Sequence, residues 1–277
     1  MMAHFSHDGL TFHYRDMGTG TPFVFQHGLG GDVNQPYDLF RPPAGFRLLA
    51  FDCRAHGETQ PLGPPEKIHI ASFADDLGKF LDHLEIKAAV VGGISMGAAV
   101  AMNFALRFPD RVLGLVQSRP AWLAGPNREN HRVFSYISRL LQQHGCQRGQ
   151  PIFRESEIYR TILDRAPETA TSLAGQFDNP HAVERAIRLE LIPLDAPYQQ
   201  LDELKAVDVP TLVLANRQDP VHPFEFGAEL AGAVPNAEFH EITSKSVSAE
   251  QHGQDVQRYL ADFLVRYFSP KSSCNHS

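Results

Sequence analysis

Residues 88–100 read Ala88-Ala89-Val90-Val91-Gly92-Gly93-Ile94-Ser95-Met96-Gly97-Ala98-Ala99-Val100. The stretch opens as an apolar run suited to a strand covered on both faces. It turns through Gly93-Ile94-Ser95-Met96-Gly97 and continues as the apolar face of a helix. A Gly-x-Ser-x-Gly at a strand-to-helix turn has a mechanical meaning. The serine takes a strained backbone conformation at the tip, its hydroxyl projects from the sheet, and the glycines let strand and helix approach closely. Ser95 is therefore a candidate nucleophile. A neutral serine needs a base to take its proton as it attacks.

Working outward, residues 3–26 read as strands, with period-two alternation over 10–15, a turn over 18–22 and a buried strand over 23–26. Residues 46–51 form the next strand. Helices are expected over 71–85 and from the serine turn to Phe108, where Pro109 stops the chain; 112–117 is a further strand. From 121 to 204 the pattern is helical and loop-rich, with helices expected over 129–144, 152–165 and 181–191. Strand character returns over 211–215 and 238–242, followed by helices over 223–234 and 250–268. This alternation predicts an α/β fold: a mostly parallel, roughly eight-stranded twisted sheet with helices on both faces and an antiparallel edge. The expected organisation is a core of residues 1–120 and 205–268, a helical cap inserted over 121–204, and a disordered tail over 269–277. The cap would cover the carboxyl ends of the strands, where open α/β sheets bind ligands.

Three loops fall at predicted strand ends. Acyl transfer needs donors aimed at the developing oxyanion. The N–H groups of Met96 and of Leu29, in His27-Gly28-Leu29-Gly30-Gly31, are the natural pair. Read alone, that glycine-rich loop is equally a plain connection. Asp52-Cys53-Arg54-Ala55-His56-Gly57 closes the next strand, and Asp219-Pro220-Val221-His222-Pro223 follows 211–215; read alone, Asp219 is a turn aspartate. Together these motifs resemble the alpha/beta-hydrolase superfamily, over residues 3–268. The resemblance implies a sheet of about eight strands, a cap inserted after the sixth, and a Ser…Asp…His order with Asp219 as the acid. Ala55 stands where the family has a glycine.

A larger departure concerns the base. The family's histidine lies a few residues beyond the last strand, and here that slot reads Thr243-Ser244-Lys245-Ser246, with Lys245 in the expected place. His252, at the mouth of the final helix, is the expected base if the 243–251 loop folds back toward Ser95. His222, inside the acid loop, is the alternative. His240 is read as structural, since an alternating strand points it away from the strand end. A lysine base would need strong desolvation to lose its proton near neutral pH.

Composition narrows the classes. Lys plus Arg number 25 against 32 Asp plus Glu, a net charge of −7 that leaves no basic stripe for nucleic acid or an anionic membrane. Cys53, Cys146 and Cys274 have no metal-ligand spacing, and the N-terminus lacks a basic and apolar leader, so a cytoplasmic protein without a metal is expected. No dinucleotide fingerprint follows the first strand. The expectation is a cofactor-independent serine hydrolase cleaving a small or medium carboxylic ester, lactone or thioester through an acyl-enzyme on Ser95. The alternatives are carbon–carbon bond hydrolysis on the same triad and a non-hydrolytic, ligand-binding member of the fold. The expected partner is a small-molecule substrate; a homodimer is compatible with the sequence, which specifies none.

Overall fold

Val90 and Val91, Leu48 and Leu49, Phe23 and Val24, Leu212 and Val213 are neighbouring pairs whose members enter different hydrophobic cores. Successive strand residues point to opposite faces, so the sheet carrying them is covered on both sides. The computed structural model describes residues 2–126 and 129–269. Its strands are β1 (Met2–His7), β2 (Leu10–Gly18), β3 (Thr21–Gln26), β4 (Phe46–Phe51), β5 (Ala89–Ile94), β6 (Val112–Ser118), β7 (Thr211–Ala215) and β8 (Ala237–Glu241). They lie in the order β1-β2-β4-β3-β5-β6-β7-β8; β2 pairs antiparallel with β1 and β4, and every later pair is parallel.

The helices are α1 (Asn34–Leu39), α2 (Ile70–His83) and α3 (Met96–Arg107), then α4 (Arg132–Glu155), α5 (Glu157–Arg165), α6 (Pro167–Ala174) and α7 (Arg188–Leu191) between β6 and β7, then α8 (Phe224–Ala233) and α9 (Ala249–Phe268). α2, α3 and α8 cover one face through residues such as Phe73, Leu77, Val100 and Leu230; α1 and α9 cover the other. In α9 the buried Val256, Leu260, Phe263 and Leu264 recur every three to four residues, a stripe that explains why this helix lies flat on the sheet. Each such side chain contributes about 1.5–3 kcal/mol when fully buried.

Strand order positions the site. β4 lies on one side of β3 and β5 on the other, so the chain reverses direction of travel at β3 and a crevice opens at the carboxyl ends of β3 and β5. Ser95 and the glycine-rich loop are delivered to that crevice.

The segment between β6 and β7 is helical. α4 is interrupted at Gly145, whose φ of 66° breaks the helical path. Phe153 packs against Tyr136, Tyr159 and Phe177 at ring separations of 5.2–6.2 Å, and these aromatics extend the core that lies under α2 and α3. The helix expected over 181–191 is not formed: 181–187 are turns and only Arg188–Leu191 completes a helical turn. Tighter i→i+3 bonds, such as Ala186 N–H to the Val183 carbonyl and Arg188 N–H to that of Arg185, wind this stretch. The winding carries Arg185 and Arg188 onto carbonyls of the loop after β4, those of Gly57, Thr59 and Ala55. α1 and α6 are too short to show a period in the sequence. The tail expected over 269–277 lies, from 270 onward, outside the described residues. Among the described residues no helix is long and apolar enough to cross a membrane.

Candidate active site

β5 delivers Ser95 to the carboxyl edge of the sheet at φ 56° and ψ −109°. A left-handed φ in a residue with a Cβ costs about 1–3 kcal/mol and persists only where the surroundings hold it. Here Ser95 N–H donates to the Ser118 carbonyl at 2.9 Å, and Ala99 N–H donates to the Ser95 carbonyl at 3.1 Å. The turn has no spare room. A methyl group at Gly97 would collide with the carbonyls of Gln26 and His27, and one at Gly93 with the backbone of Gly97. The Ser95 side chain makes no hydrogen bond among the described residues and faces a cavity of about 270 Å³.

β3 ends beside β5, with Gln26 level with Gly93. His27 follows, fully buried, and its ring is used at both nitrogens. Nε2 accepts the Cys53 N–H at 3.0 Å, which leaves Nδ1 to donate to the Gly28 carbonyl at 2.8 Å. Burial holds the His27 pKa below its ordinary value, in keeping with one neutral tautomer. The Gly28 carbonyl and the Leu29 N–H belong to one planar peptide, so fixing the carbonyl fixes the N–H on the opposite side. Leu29 N–H has no acceptor among the described residues. Met96 N–H, first in α3, lacks an intrahelical acceptor by geometry. Both oxyanion candidates are thus free donors at the β3–β5 crevice. In the neighbouring loop Ala55 takes φ 61°, the left-handed conformation that explains the family's glycine there.

The acid end is built by loops after β7 and β8. Asp219 Oδ1 accepts the N–H groups of Val221 and His222 at 3.2 Å each, and Oδ2 accepts His222 Nδ1 at 2.8 Å. Arg119 Nη1 stands 3.5 Å from the same oxygen. Burial works to raise the Asp219 pKa, but His222 and Arg119 outweigh it and hold the carboxyl below the usual range. Burial lowers the His222 pKa; Asp219 opposes that shift, while Arg119 and Lys245 add to it. His222 Nε2 bonds to no described residue and is not sealed from solvent.

Ser95, Leu29, Asp219, His222 and Lys245 all line the same cavity. His252, the expected base, does not. Its Nδ1 donates to the Thr243 carbonyl at 2.8 Å, its Nε2 is sealed without a partner among the described residues, and burial takes its pKa down to about 4. The 243–251 loop runs across the cavity wall with Ser244, Lys245 and Ser246, and packs His252 behind it rather than turning it toward Ser95. His240 stacks on Tyr259 at 4.2 Å between ring centres, away from the cavity. Among the described residues no group of three His, Cys, Asp or Glu side chains could hold a metal ion.

Sequence reading passed over Arg119. It closes β6 at φ 50°, its N–H donates to the Leu214 carbonyl at 2.7 Å, and its guanidinium enters the cavity wall. The available signal was a polar run, Gln117-Ser118-Arg119, ending a buried strand at its carboxyl end.

The alpha/beta hydrolase fold family matches this chain over residues 21–246. The AB hydrolase superfamily protein YisY of Bacillus subtilis is 27% identical over 286 aligned positions, covering 95% of this chain and 99% of that protein. A 2-hydroxy-6-oxononadienedioate/2-hydroxy-6-oxononatrienedioate hydrolase of Paraburkholderia phymatum is 27% identical over 270 positions, 92% of this chain and 91% of that protein. Among solved structures, the enol-lactonase from Burkholderia xenovorans superposes with a TM-score of 0.71 at 22% identity, covering 95% of this chain and 100% of that one. With the strand order, the serine turn and the family match in agreement, the chain belongs to the alpha/beta hydrolase fold family and is a hydrolase of that fold.

Proposed function

We propose that the protein is a serine hydrolase of small, polar carboxylic esters or lactones, with Ser95 as nucleophile and His222, oriented by Asp219, as base. The observation that carries this reading is the 2.8 Å His222–Asp219 bond on the same cavity wall as Ser95. Ser95 Oγ attacks the carbonyl carbon as His222 Nε2 takes its proton, and Asp219 stabilises the imidazolium that forms. The N–H groups of Leu29 and Met96 receive the oxyanion. Its collapse expels the alcohol, which takes the proton from His222, and water then releases the acyl group by the same path. A volume of about 270 Å³ lies at the lower edge of ligand-pocket volumes, which favours a compact substrate. Thr169, Ser172, Gln176, Asn216 and Ser244 on the wall favour a polar one. The sparse, odd cysteine count supports a reducing compartment, the cytoplasm.

A second reading, hydrolysis of a carbon–carbon bond next to a ketone, is favoured by the relatives of that activity, which match over more than nine-tenths of the chain. It uses the same nucleophile and base. A fluorophosphonate probe is expected to label the wild type and not Ser95→Ala; equal labelling of both removes the nucleophile from either reading. Turnover of 4-nitrophenyl acetate without cleavage of a vinylogous β-diketone selects the first.

A further inference from the structure

Charge is distributed unevenly around the cavity. The chain as a whole carries −7; the corner between the β6, β7 and β8 loops holds two cations, Arg119 and Lys245, and one carboxylate, Asp219, and the wall adds a second carboxylate, Glu168. That carboxylate is already served by the His222 ring and by two backbone N–H groups, and its contact with Arg119 is a loose 3.5 Å. Lys245 has no carboxylate within ion-pair distance among the described residues, and Arg119 Nε is buried without an acceptor. Glu168, at the start of α6, forms no ion pair with either cation, although its charge acts on Lys245 more than that of Asp219 does. Both imidazoles of this corner feel Arg119 and Lys245 as neighbouring charges, and Asp219 is the acid they feel.

The backbone shows that Arg119 is held here. A left-handed φ of 50° in a residue with a long side chain is tolerated where the structure fixes it, and the 2.7 Å bond to the Leu214 carbonyl does so. Two cations on the wall beside the serine, neither held in a close carboxylate pair, can receive an anionic group.

We infer that the substrate is itself an anion, a half-ester or lactone of a short dicarboxylic acid, whose free carboxylate is held by Arg119 and Lys245 while Ser95 attacks the acyl carbon. This rests on the nucleophile reading above and adds the substrate class. Guanidinium and ammonium suit the two oxygens of a carboxylate, and both lie on the wall of the cavity that holds Ser95. The small cavity keeps the two ends of the substrate close, which selects a chain of few carbons.

The test uses two esters of nearly equal shape, monoethyl succinate and ethyl 4-methylpentanoate, in which a carboxylate is exchanged for an isopropyl group. Hydrolysis by the full-length protein is followed in a pH-stat. The expected result is a kcat/KM at least tenfold higher for monoethyl succinate, a preference that Lys245→Met lowers at least tenfold, Lys245→Glu reverses and Lys245→Arg restores. Equal kcat/KM for the two esters in the wild type overturns the inference. So does a Lys245→Met effect of the same size on both, which would make Lys245 part of the reaction with any ester. Ser95→Ala protein supplies the second readout. Monoethyl succinate is expected to bind it by calorimetry and ethyl 4-methylpentanoate is not, and equal binding or none overturns the inference even if neither ester is turned over. A failure of both hydrolyses with selective binding intact counts against the nucleophile reading alone.

Discussion

The loop after β7 and the first turn of α9 each carry a histidine near the acid end of the site, and they treat it in opposite ways. In the first, His222 spends Nδ1 on a carboxylate and leaves Nε2 open to the cavity that holds Ser95. In the second, His252 spends Nδ1 on the neutral Thr243 carbonyl, and its Nε2 is sealed. Burial depresses both rings. Asp219 returns part of that loss to His222 through a direct hydrogen bond, whereas His252 falls to about 4. A carboxylate also stabilises the imidazolium that proton transfer creates, which a carbonyl does far less. The comparison teaches that an imidazole is fitted to act as a base by its partner and its opening, and that two histidines at one end of a site can differ in both.

The largest effect should fall on the loop after β7. His222→Ala is expected to lower kcat/KM by at least about 10⁴-fold with the fold retained by circular dichroism. Asp219→Asn should cost about 10³–10⁴-fold, because an amide can hold the ring in the wrong tautomer. If steady-state kinetics show His252→Ala losing more than either, the two histidines have been assigned the wrong way round.

The pH profile sharpens the same contrast. The charged groups facing His222 are Asp219, Arg119 and Lys245, and its pKa lies below the ordinary 6.5 because burial and the two cations outweigh the carboxylate. The base works only when neutral. The kcat/KM profile should therefore be level above pH 6.5 and fall about tenfold per unit on the acid side of an inflection below that value. Removing one cation with Lys245→Met should move the inflection upward. An inflection above 6.5 in the wild type would contradict this account.

These contrasts mark how much was legible in the sequence. The sheet, its two-sided cover and the serine turn follow from local rules: apolar strands of period two, α9 of period 3.6, and glycines where backbones meet. The turn that leaves the Leu29 N–H without an acceptor was legible for the same reason, since it is set by local backbone geometry. Which histidine faces the cavity was not. Whether His222 or His252 opens onto the cavity depends on how the 243–251 loop packs, which is settled by the Thr243 and Asp255 contacts across nine and twelve residues and by no periodicity. Arg119 was missed because a charge at a strand end reads as surface until the insertion lies over it. The turns at 181–187 were misread because Arg185 and Arg188 answer to carbonyls more than 120 residues away.

The smallest effect on catalysis should come from His252, and its stability effect has a sign that separates it from His222. At pH 7 the ring is neutral in the folded and unfolded chain, and it contributes the hydrogen bond to the Thr243 carbonyl, about 1 kcal/mol, or up to about 3 if that carbonyl is left buried and unpaired. Its folded pKa of about 4 lies below the ordinary 6.5, so the unfolded chain takes up the proton first as pH falls. The contribution is therefore fully present above 6.5 and is eroded through the interval down to 4, by about 3 kcal/mol in all. His252→Asn keeps a donor and removes the titration. Urea unfolding should show the wild type more stable than His252→Asn at pH 7, with the gap closing and then reversing as pH falls toward 4. Its kcat/KM should change by less than about tenfold. A gap that stays constant with pH would mean that His252 is not held neutral behind the loop, and would reopen it as a rival to His222.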